Sequence, residues 1–326
     1  MAETIKTDIL IVGAGPVGLF GAYTAGFRGL STVIVDGLPQ VGGQISALYP
    51  EKAIHDIAAI PGALGREVVA ALKEQADAFD PTYLLGREAV ELGRGDDDRP
   101  VVTLSDGTVI DAGAVIVTAG IGTFTPRTLP AGEEFLDRGL TYFVPDPTEH
   151  ADKDVLVVGG GDSAVDWALA LKKIARSVTL VHRRSGFRAH AASVAELMDS
   201  DVQIITEAQV AALHGNGVVA EAHIRVDGAD EPRVLRVDSV VAALGFISNL
   251  GPLTTWGMEL DRRTIVVDTR MQTNLPGVYA AGDITAYPGK VRLMSVGFGE
   301  VATAVNNAAV ALDPELTLFP GHSTDG

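Results

Sequence analysis

Residues 8–36 read DILIVGAGPVGLFGAYTAGFRGLSTVIVD, and residues 154–182 read DVLVVGGGDSAVDWALALKKIARSVTLVH. The two stretches align with each other without a gap. Each opens with a short apolar run, turns at a cluster of glycines, continues with helix-forming residues and closes with a second apolar run. The pattern predicts a strand–turn–helix–strand unit that occurs twice in the chain.

The glycine clusters have the spacing of dinucleotide-binding turns. They are Gly13, Gly15 and Gly18 in the first unit, and Gly159, Gly161 and Ala164 in the second. The first glycine makes the tight turn, the second lets the backbone approach a pyrophosphate, and the third residue lets helix and strand pack closely. The helix N-terminus then offers free N–H groups to the phosphates. Two copies in this context predict an α/β fold with two Rossmann-like dinucleotide-binding domains.

The two units differ where their second strand ends. Asp36 closes the first unit, and a carboxylate there can accept hydrogen bonds from adenosine ribose hydroxyls. His182 closes the second and is followed by Arg183, Arg184 and Arg188. Guanidinium groups suit a 2′-phosphate through charge and paired hydrogen bonds, so the second unit is predicted to bind NADP(H). A solvated basic turn is the alternative.

Two further stretches favour FAD in the first unit. Residues 273–283, TNLPGVYAAGD, read as a strand that ends in Gly-Asp, and Asp283 could hold the ribityl chain of FAD. Residues 115–120, VIVTAG, read as an apolar strand ending in a turn that could pass over the cofactor.

These stretches predict a discontinuous FAD-binding domain, made of residues 1–120 and 246–326, because its elements lie on both sides of the second unit. The NADP(H)-binding domain, residues 121–245, is inserted into it. The chain would cross between the two domains within residues 120–130 and 245–253, which are rich in Gly, Pro and polar residues.

The composition excludes several kinds of chemistry. The 326 residues include no cysteine, which excludes disulfides, thiolate metal sites and any relay through a redox-active dithiol. We find no zinc-ligand cluster among the seven histidines. The net charge of −17 argues against nucleic acid or an anionic membrane as a partner. There is no apolar run long enough to span a bilayer and no signal-like start, so we expect a cytoplasmic protein.

Four longer motifs resemble the thioredoxin-reductase-like ferredoxin–NADP⁺ reductases of bacteria. They are residues 38–50 (LPQVGGQISALYP), 182–189 (HRRSGFRA), 297–308 (GFGEVATAVNNA) and 319–324 (FPGHST). Low-molecular-weight thioredoxin reductases share the layout but carry a Cys-x-x-Cys, which this chain lacks. One departure from the family is Asp36, where glutamate is common.

The resemblance implies roles for further residues. At the FAD site, Gln44 would contact the flavin and Tyr49 would stack on one face of its ring. Val90 and Phe124 would line the adenine and flavin parts of the site. His322 would lie over the other ring face, with Ser323 and Thr324 near the ring edge. The last three would come from the tail of the partner subunit, which requires a homodimer. In the second unit, Asp162 and Ser163 are expected to cap the helix at the NADP site.

The implied activity is FAD-dependent electron transfer between NADPH and ferredoxin, with a hydride passing to flavin N5 and single electrons passing on to the acceptor. Two alternatives stay open: an NADPH-dependent reductase of a quinone, flavodoxin or another small acceptor, and a non-catalytic flavin-bound redox sensor. Docking of an acidic ferredoxin would need local positive charge. The candidates are Lys52, Arg66, Lys73, Lys290 and Arg292.

Overall fold

The computed structural model describes residues 4–95, 97–319 and 321, with the backbone alone for residues 123–125 and 248. The chain forms two units: unit 1 is Met1–Thr123 with Ser248–Gly326, and unit 2 is Phe124–Ile247. These limits fall within three residues of the domain boundaries predicted from sequence. Within the described ranges, no helix is long and apolar enough to cross a bilayer.

The elements follow in chain order. The N-terminal part of unit 1 contains β1 (Thr4–Val12), α1 (Pro16–Phe27), β2 (Thr32–Asp36), α2 (Gly43–Leu48), β3 (Ala53–Ile54), β4 (Ala63–Leu64), α3 (Gly65–Asp77), β5 (Thr82–Leu85), β6 (Ala89–Arg94), β7 (Pro100–Leu104) and β8 (Val109–Val117). Strand β9 (Thr123–Pro126) leads into unit 2.

Unit 2 contains β10 (Leu140–Thr141), β11 (Asp154–Val158), α4 (Asp162–Leu171), β12 (Ser177–Val181), α5 (Ala191–Met198), β13 (Gln203–Ile205), β14 (Ala208–Gly215), β15 (Val219–Val226), β16 (Arg233–Arg236) and β17 (Ser239–Ala242). Strand β18 (Phe246–Asn249) leads back to unit 1. There the chain adds β19 (Leu260–Asp261), β20 (Thr264–Val266), β21 (Val278–Ala280), β22 (Thr285–Ala286) and α6 (Met294–Leu312). Short 3₁₀ helices span Glu133–Phe135, Pro147–His150 and Gly251–Thr255.

Unit 1 is built on a sheet in the order β5-β2-β1-β8, whose strands are all parallel. The C-terminal half of β8 pairs with β21 in parallel, and its N-terminal half pairs with the antiparallel hairpin of β6 and β7. Unit 2 repeats this plan, with a parallel sheet in the order β10-β17-β11-β12-β13 and a separate antiparallel sheet of β14, β15 and β16. The predicted α/β fold with two Rossmann-like domains is therefore confirmed.

The central strands are buried on both faces, as parallel strands require. In β1, Ile9, Leu10 and Ile11 have no exposed surface. In β11, alternate side chains join different cores because successive residues of a strand point to opposite faces. Val155 and Val157 belong to the core that includes α4, whereas Leu156 and Val158 belong to the core that includes β14 and β15.

The turn from β11 to α4 needs glycine at its first position. Gly159 has φ +152, which L-residues rarely adopt, and a Cβ added there would lie 2.3 Å from the carbonyl oxygen of Ala243. Gly161, two residues later, has φ −98 and no atom within 4 Å of a Cβ position. The first glycine is therefore required by packing, and the second is not.

We predict opposite effects of alanine at these two positions on stability without nucleotide. Gly159→Ala should lower the free energy of unfolding by about 1–3 kcal/mol, because the added methyl group overpacks the turn. Gly161→Ala, the matched control, should leave it unchanged or raise it by up to about 1 kcal/mol. Urea unfolding followed by circular dichroism measures both values. Equal losses in the two variants would contradict this account of the turn.

Candidate functional site

The first fingerprint loop, residues 13–18, packs tightly at its first and third glycines and is open at its second. A Cβ added at Gly13 would lie 2.6 Å from the carbonyl oxygen of Thr118, and one added at Gly18 would lie 1.9 Å from the carbonyl oxygen of Gly13. No atom lies within 4 Å of a Cβ position at Gly15. Because Gly15 also precedes the free N-terminus of α1, the open space suits a phosphate group.

Asp36 lies at the end of β2 and faces this loop. One carboxylate oxygen accepts the N–H of Ala14 at 2.6 Å, and the other accepts the N–H of Leu38 at 2.8 Å. Burial raises the pKa of Asp36, and the two N–H donors act in the opposite direction. Each oxygen keeps a second lone pair for a hydroxyl donor. Asp36 thus fixes the loop in addition to the ribose contact predicted for it.

Helix α2 brings Gln44 and Tyr49 to the same part of unit 1. The N–H of Gly42 donates to the carbonyl of Ala14 at 2.8 Å, which ties the start of α2 to the first fingerprint loop. The side-chain amide of Gln44 lies 3.0 Å from the Cβ position of Gly120, at the turn after β8. Tyr49 ends α2.

Tyr49 and Asp283 lie near each other although they are far apart in sequence. Burial raises the pKa of Tyr49 to about 12, and the negative charges of Asp283 and Asp56 add to the effect. The phenol therefore stays protonated at neutral pH. Burial also raises the pKa of Asp283, against the positive charges of Lys290 and Arg292. No group in the described part of the chain donates a hydrogen bond to the Asp283 carboxylate, which leaves it free for a hydroxyl-bearing ligand.

The structure corrects one prediction in this unit. Lys290, a candidate for acceptor docking, is buried in an ion pair with Glu300, with side-chain exposures of 8% and 5%. Sequence reasoning missed Glu300 altogether. A charged residue on an otherwise apolar helix, between Gly299 and Val301, was the available signal.

Of the other residues predicted at the FAD site, the structure describes some and leaves others undescribed. The backbone of residues 86–88 runs beside the end of β2, with the N–H of Arg87 donating to the carbonyl of Asp36, and Val90 follows at the start of β6. The side chain of Phe124 lies outside the described part of the structure, as do all atoms of His322, Ser323 and Thr324.

The second fingerprint loop, residues 159–164, is bordered by an arginine loop, residues 182–190. The N–H of Arg188 donates to the carbonyl of Gly160 at 2.7 Å, and Arg188 forms a parallel bridge with Gly161. Arg183, Arg184 and Arg188 are exposed. The structure therefore places Arg188 against this fingerprint, and Arg183 and Arg184 are exposed in the same loop.

His182 and Asp162 support this loop in ways the sequence did not indicate. The buried imidazole of His182 lies against Gly160, stacks on Phe187 at 5.3 Å and donates from Nε2 to the carbonyl of Gly186. Burial lowers its pKa, so it is neutral at neutral pH. The expected capping by Asp162 and Ser163 is wrong: the N-cap is Gly161, without a side-chain bond, and Asp162 instead accepts the N–H of His190 at 2.8 Å.

The comparisons with known proteins agree with this arrangement. The family model described as pyridine nucleotide-disulphide oxidoreductase matches residues 7–308. Ferredoxin–NADP reductases from Salinispora arenicola and Salinispora tropica are 59% and 58% identical, over 98% of this chain and 99% of each relative. A crystal structure of T. acidophilum thioredoxin reductase matches with a TM-score of 0.80 and 26% identity, covering 95% of this chain and 99% of that one.

The families that these proteins represent use FAD and NADP(H). The two open fingerprints, one beside a carboxylate and one beside arginines, fit that pair of cofactors. The absence of cysteine sets this chain apart from the disulphide chemistry in the family's description. The match extends over nearly the whole chain, and the chain therefore belongs to the pyridine nucleotide-disulphide oxidoreductase family.

Proposed function

We propose that this chain is a FAD-dependent ferredoxin–NADP⁺ reductase that transfers electrons between NADPH and ferredoxin. The observation that carries the proposal is the pair of open fingerprints, of which only the second is bordered by arginines. The name of relatives that are 59% and 58% identical supports ferredoxin as the acceptor. Because the chain has no cysteine, electrons that leave the flavin must pass to another molecule and not to an internal dithiol.

In this proposal unit 1 would hold FAD, which would supply the chemistry to take a hydride from NADPH and to pass on single electrons. The loop at Gly15 and the N-terminus of α1 bind the pyrophosphate, and Asp36 accepts from the ribose. Asp283 accepts from the ribityl hydroxyls. Gln44 would contact the ring and Tyr49 would cover one face of it, because an aromatic side chain can bury a large planar surface. Val90 would line the adenine part of the site.

Unit 2 holds NADP(H) in this proposal. The loop at Gly161 and the N-terminus of α4 bind the pyrophosphate. Arg183, Arg184 and Arg188 bind the 2′-phosphate, whose charge and geometry suit guanidinium groups. His182 and Asp162 keep the arginine loop in place.

The acceptor would dock on cations of unit 1. Arg66 and Lys73 are each engaged with a carboxylate, Glu51 and Asp77 respectively, although their side chains are half exposed. Lys52 lies 5.9 Å from the centre of the Tyr49 ring. Arg292 is exposed and contributes positive charge near Asp283. We propose Arg292 as the main docking cation.

We also propose a cytoplasmic homodimer in which the C-terminal tail of each subunit covers the FAD of the other. The apolar side chains that precede the tail support a contact with a partner: Leu318 and Phe319 are 53% and 62% exposed. His322 would lie over the second ring face, with Ser323 and Thr324 near the ring edge.

Acceptor kinetics test the proposed function. Cytochrome c reduction driven by NADPH should depend strongly on added ferredoxin, and NADH should be a poor donor. The variant Arg292→Glu should raise the KM for ferredoxin and weaken its salt dependence, because a docking charge is reversed. Arg225→Glu, at an exposed position of unit 2, is the matched control.

Two results would contradict the proposal. Brisk direct reduction of quinones or dyes without a ferredoxin effect would identify a reductase of small acceptors. Tight FAD binding with very slow reduction by NADPH would indicate a flavin-bound sensor.

The nucleotide preference is tested separately. The double variant R183A/R184A should weaken NADPH binding about 10- to 100-fold, since a hydrogen bond to a charged group contributes about 1.5–3 kcal/mol. NADH binding should not change, because NADH has no 2′-phosphate. Fluorescence titration measures both affinities, with Arg225→Ala as the control. An equal loss of affinity for NADPH and NADH would contradict the assignment of the arginine loop to the 2′-phosphate.

A further inference from the structure

A buried ion pair lies directly beside the Gly282–Asp283 turn of unit 1. Glu300 occupies the second turn of α6, and Lys290 lies in the segment that leads into α6. Both side chains are more than nine-tenths buried. The hydroxyl of Tyr287 donates to the same Glu300 oxygen that Lys290 contacts, and the Lys290 ammonium lies 5.5 Å from the centre of the Tyr287 ring.

This ion pair binds both polar groups of the Gly282 backbone. Glu300 accepts the N–H of Gly282 at 2.7 Å through its other oxygen, and Lys290 donates to the carbonyl of Gly282 at 2.9 Å. Gly282 has φ +85, a conformation that favours glycine. The peptide groups on the two sides of Gly282 are therefore fixed by two opposite charges, and the next residue is Asp283.

Stability alone does not account for this arrangement. Removing two charges from water carries a large desolvation cost, and a buried ion pair is often no more stabilising than apolar side chains of the same volume. The ion pair instead fixes the orientation of the Gly282 peptide groups. A carboxylate can hold only the N–H, an ammonium can hold only the carbonyl, and together they allow one orientation of the turn.

We propose that Lys290, Glu300 and Tyr287 are positioning residues that hold the Gly282–Asp283 turn so that the Asp283 carboxylate meets the hydroxyl groups of bound FAD. The inference rests on the proposed function, in which unit 1 binds FAD. The three residues do not touch the cofactor in this scheme; they act through the backbone of Gly282. The positive charge of Arg292 also acts on Asp283, but Arg292 is exposed and does not belong to this cluster.

The double variant K290M/E300Q tests the inference. It removes both charges together, so that neither is left buried without a partner, and it keeps an amide oxygen that can accept from Gly282. FAD dissociation from the holoenzyme, followed by the recovery of flavin fluorescence on dilution, should show an affinity at least tenfold weaker than wild type. NADPH binding should not change. Lys6→Met, which removes an exposed ion pair with Asp111 in the same unit, should leave FAD affinity unchanged.

A double-mutant cycle distinguishes positioning from general loosening of the fold. If the cluster acts through Asp283, then K290M/E300Q should weaken FAD binding much less in an Asp283→Asn background than in wild type. Additive losses, unchanged FAD affinity in K290M/E300Q, or an equal loss of NADPH binding would each overturn the inference. A wild-type protein that binds no FAD would instead overturn the proposed function on which the inference rests.

Discussion

Both units depend on a close contact between backbones where the first strand passes into the first helix. In unit 1 the backbone of Gly13 lies so near the carbonyl of Thr118 that a side chain at Gly13 would overlap it. In unit 2 the same role falls to Gly159, beside the carbonyl of Ala243. This contact leaves the helix N-terminus and the second glycine facing open space. The open space that suits a phosphate group is therefore a consequence of how the turn after each first strand packs.

The same scaffold carries two different recognition surfaces because the second strand of each unit ends differently. Asp36 is tied to its own fingerprint loop through Ala14, so the carboxylate that shapes the loop is also the one proposed to accept from a ribose. In unit 2 the neutral, buried His182 supports a loop that exposes Arg183 and Arg184. A fixed carboxylate suits an unphosphorylated ribose and exposed guanidinium groups suit a phosphate, which accounts for the proposed pairing of FAD with NADP(H).

The features that could be predicted from sequence are those carried by local spacing. The repeat, the fingerprints and the charge difference between Asp36 and the arginines all lie within stretches of about 30 residues, the length of one βαβ unit. Contacts made across long sequence separations were not predictable in this way. The docking role predicted for Lys290 was wrong, because nothing in the local sequence indicates that Lys290 forms a buried ion pair with Glu300. Asp162 lies at the start of a helix, where capping is the usual role, but its carboxylate accepts a hydrogen bond from the N–H of His190 instead.

The central claim is that each fingerprint holds one cofactor at its second glycine. The most direct test measures the FAD and NADPH dissociation constants of Gly15→Ala and Gly161→Ala, two substitutions that meet no protein atom. The account predicts that Gly15→Ala weakens FAD binding alone and that Gly161→Ala weakens NADPH binding alone. If both variants lost the same cofactor, or if neither lost any affinity, the assignment of the two sites would be contradicted.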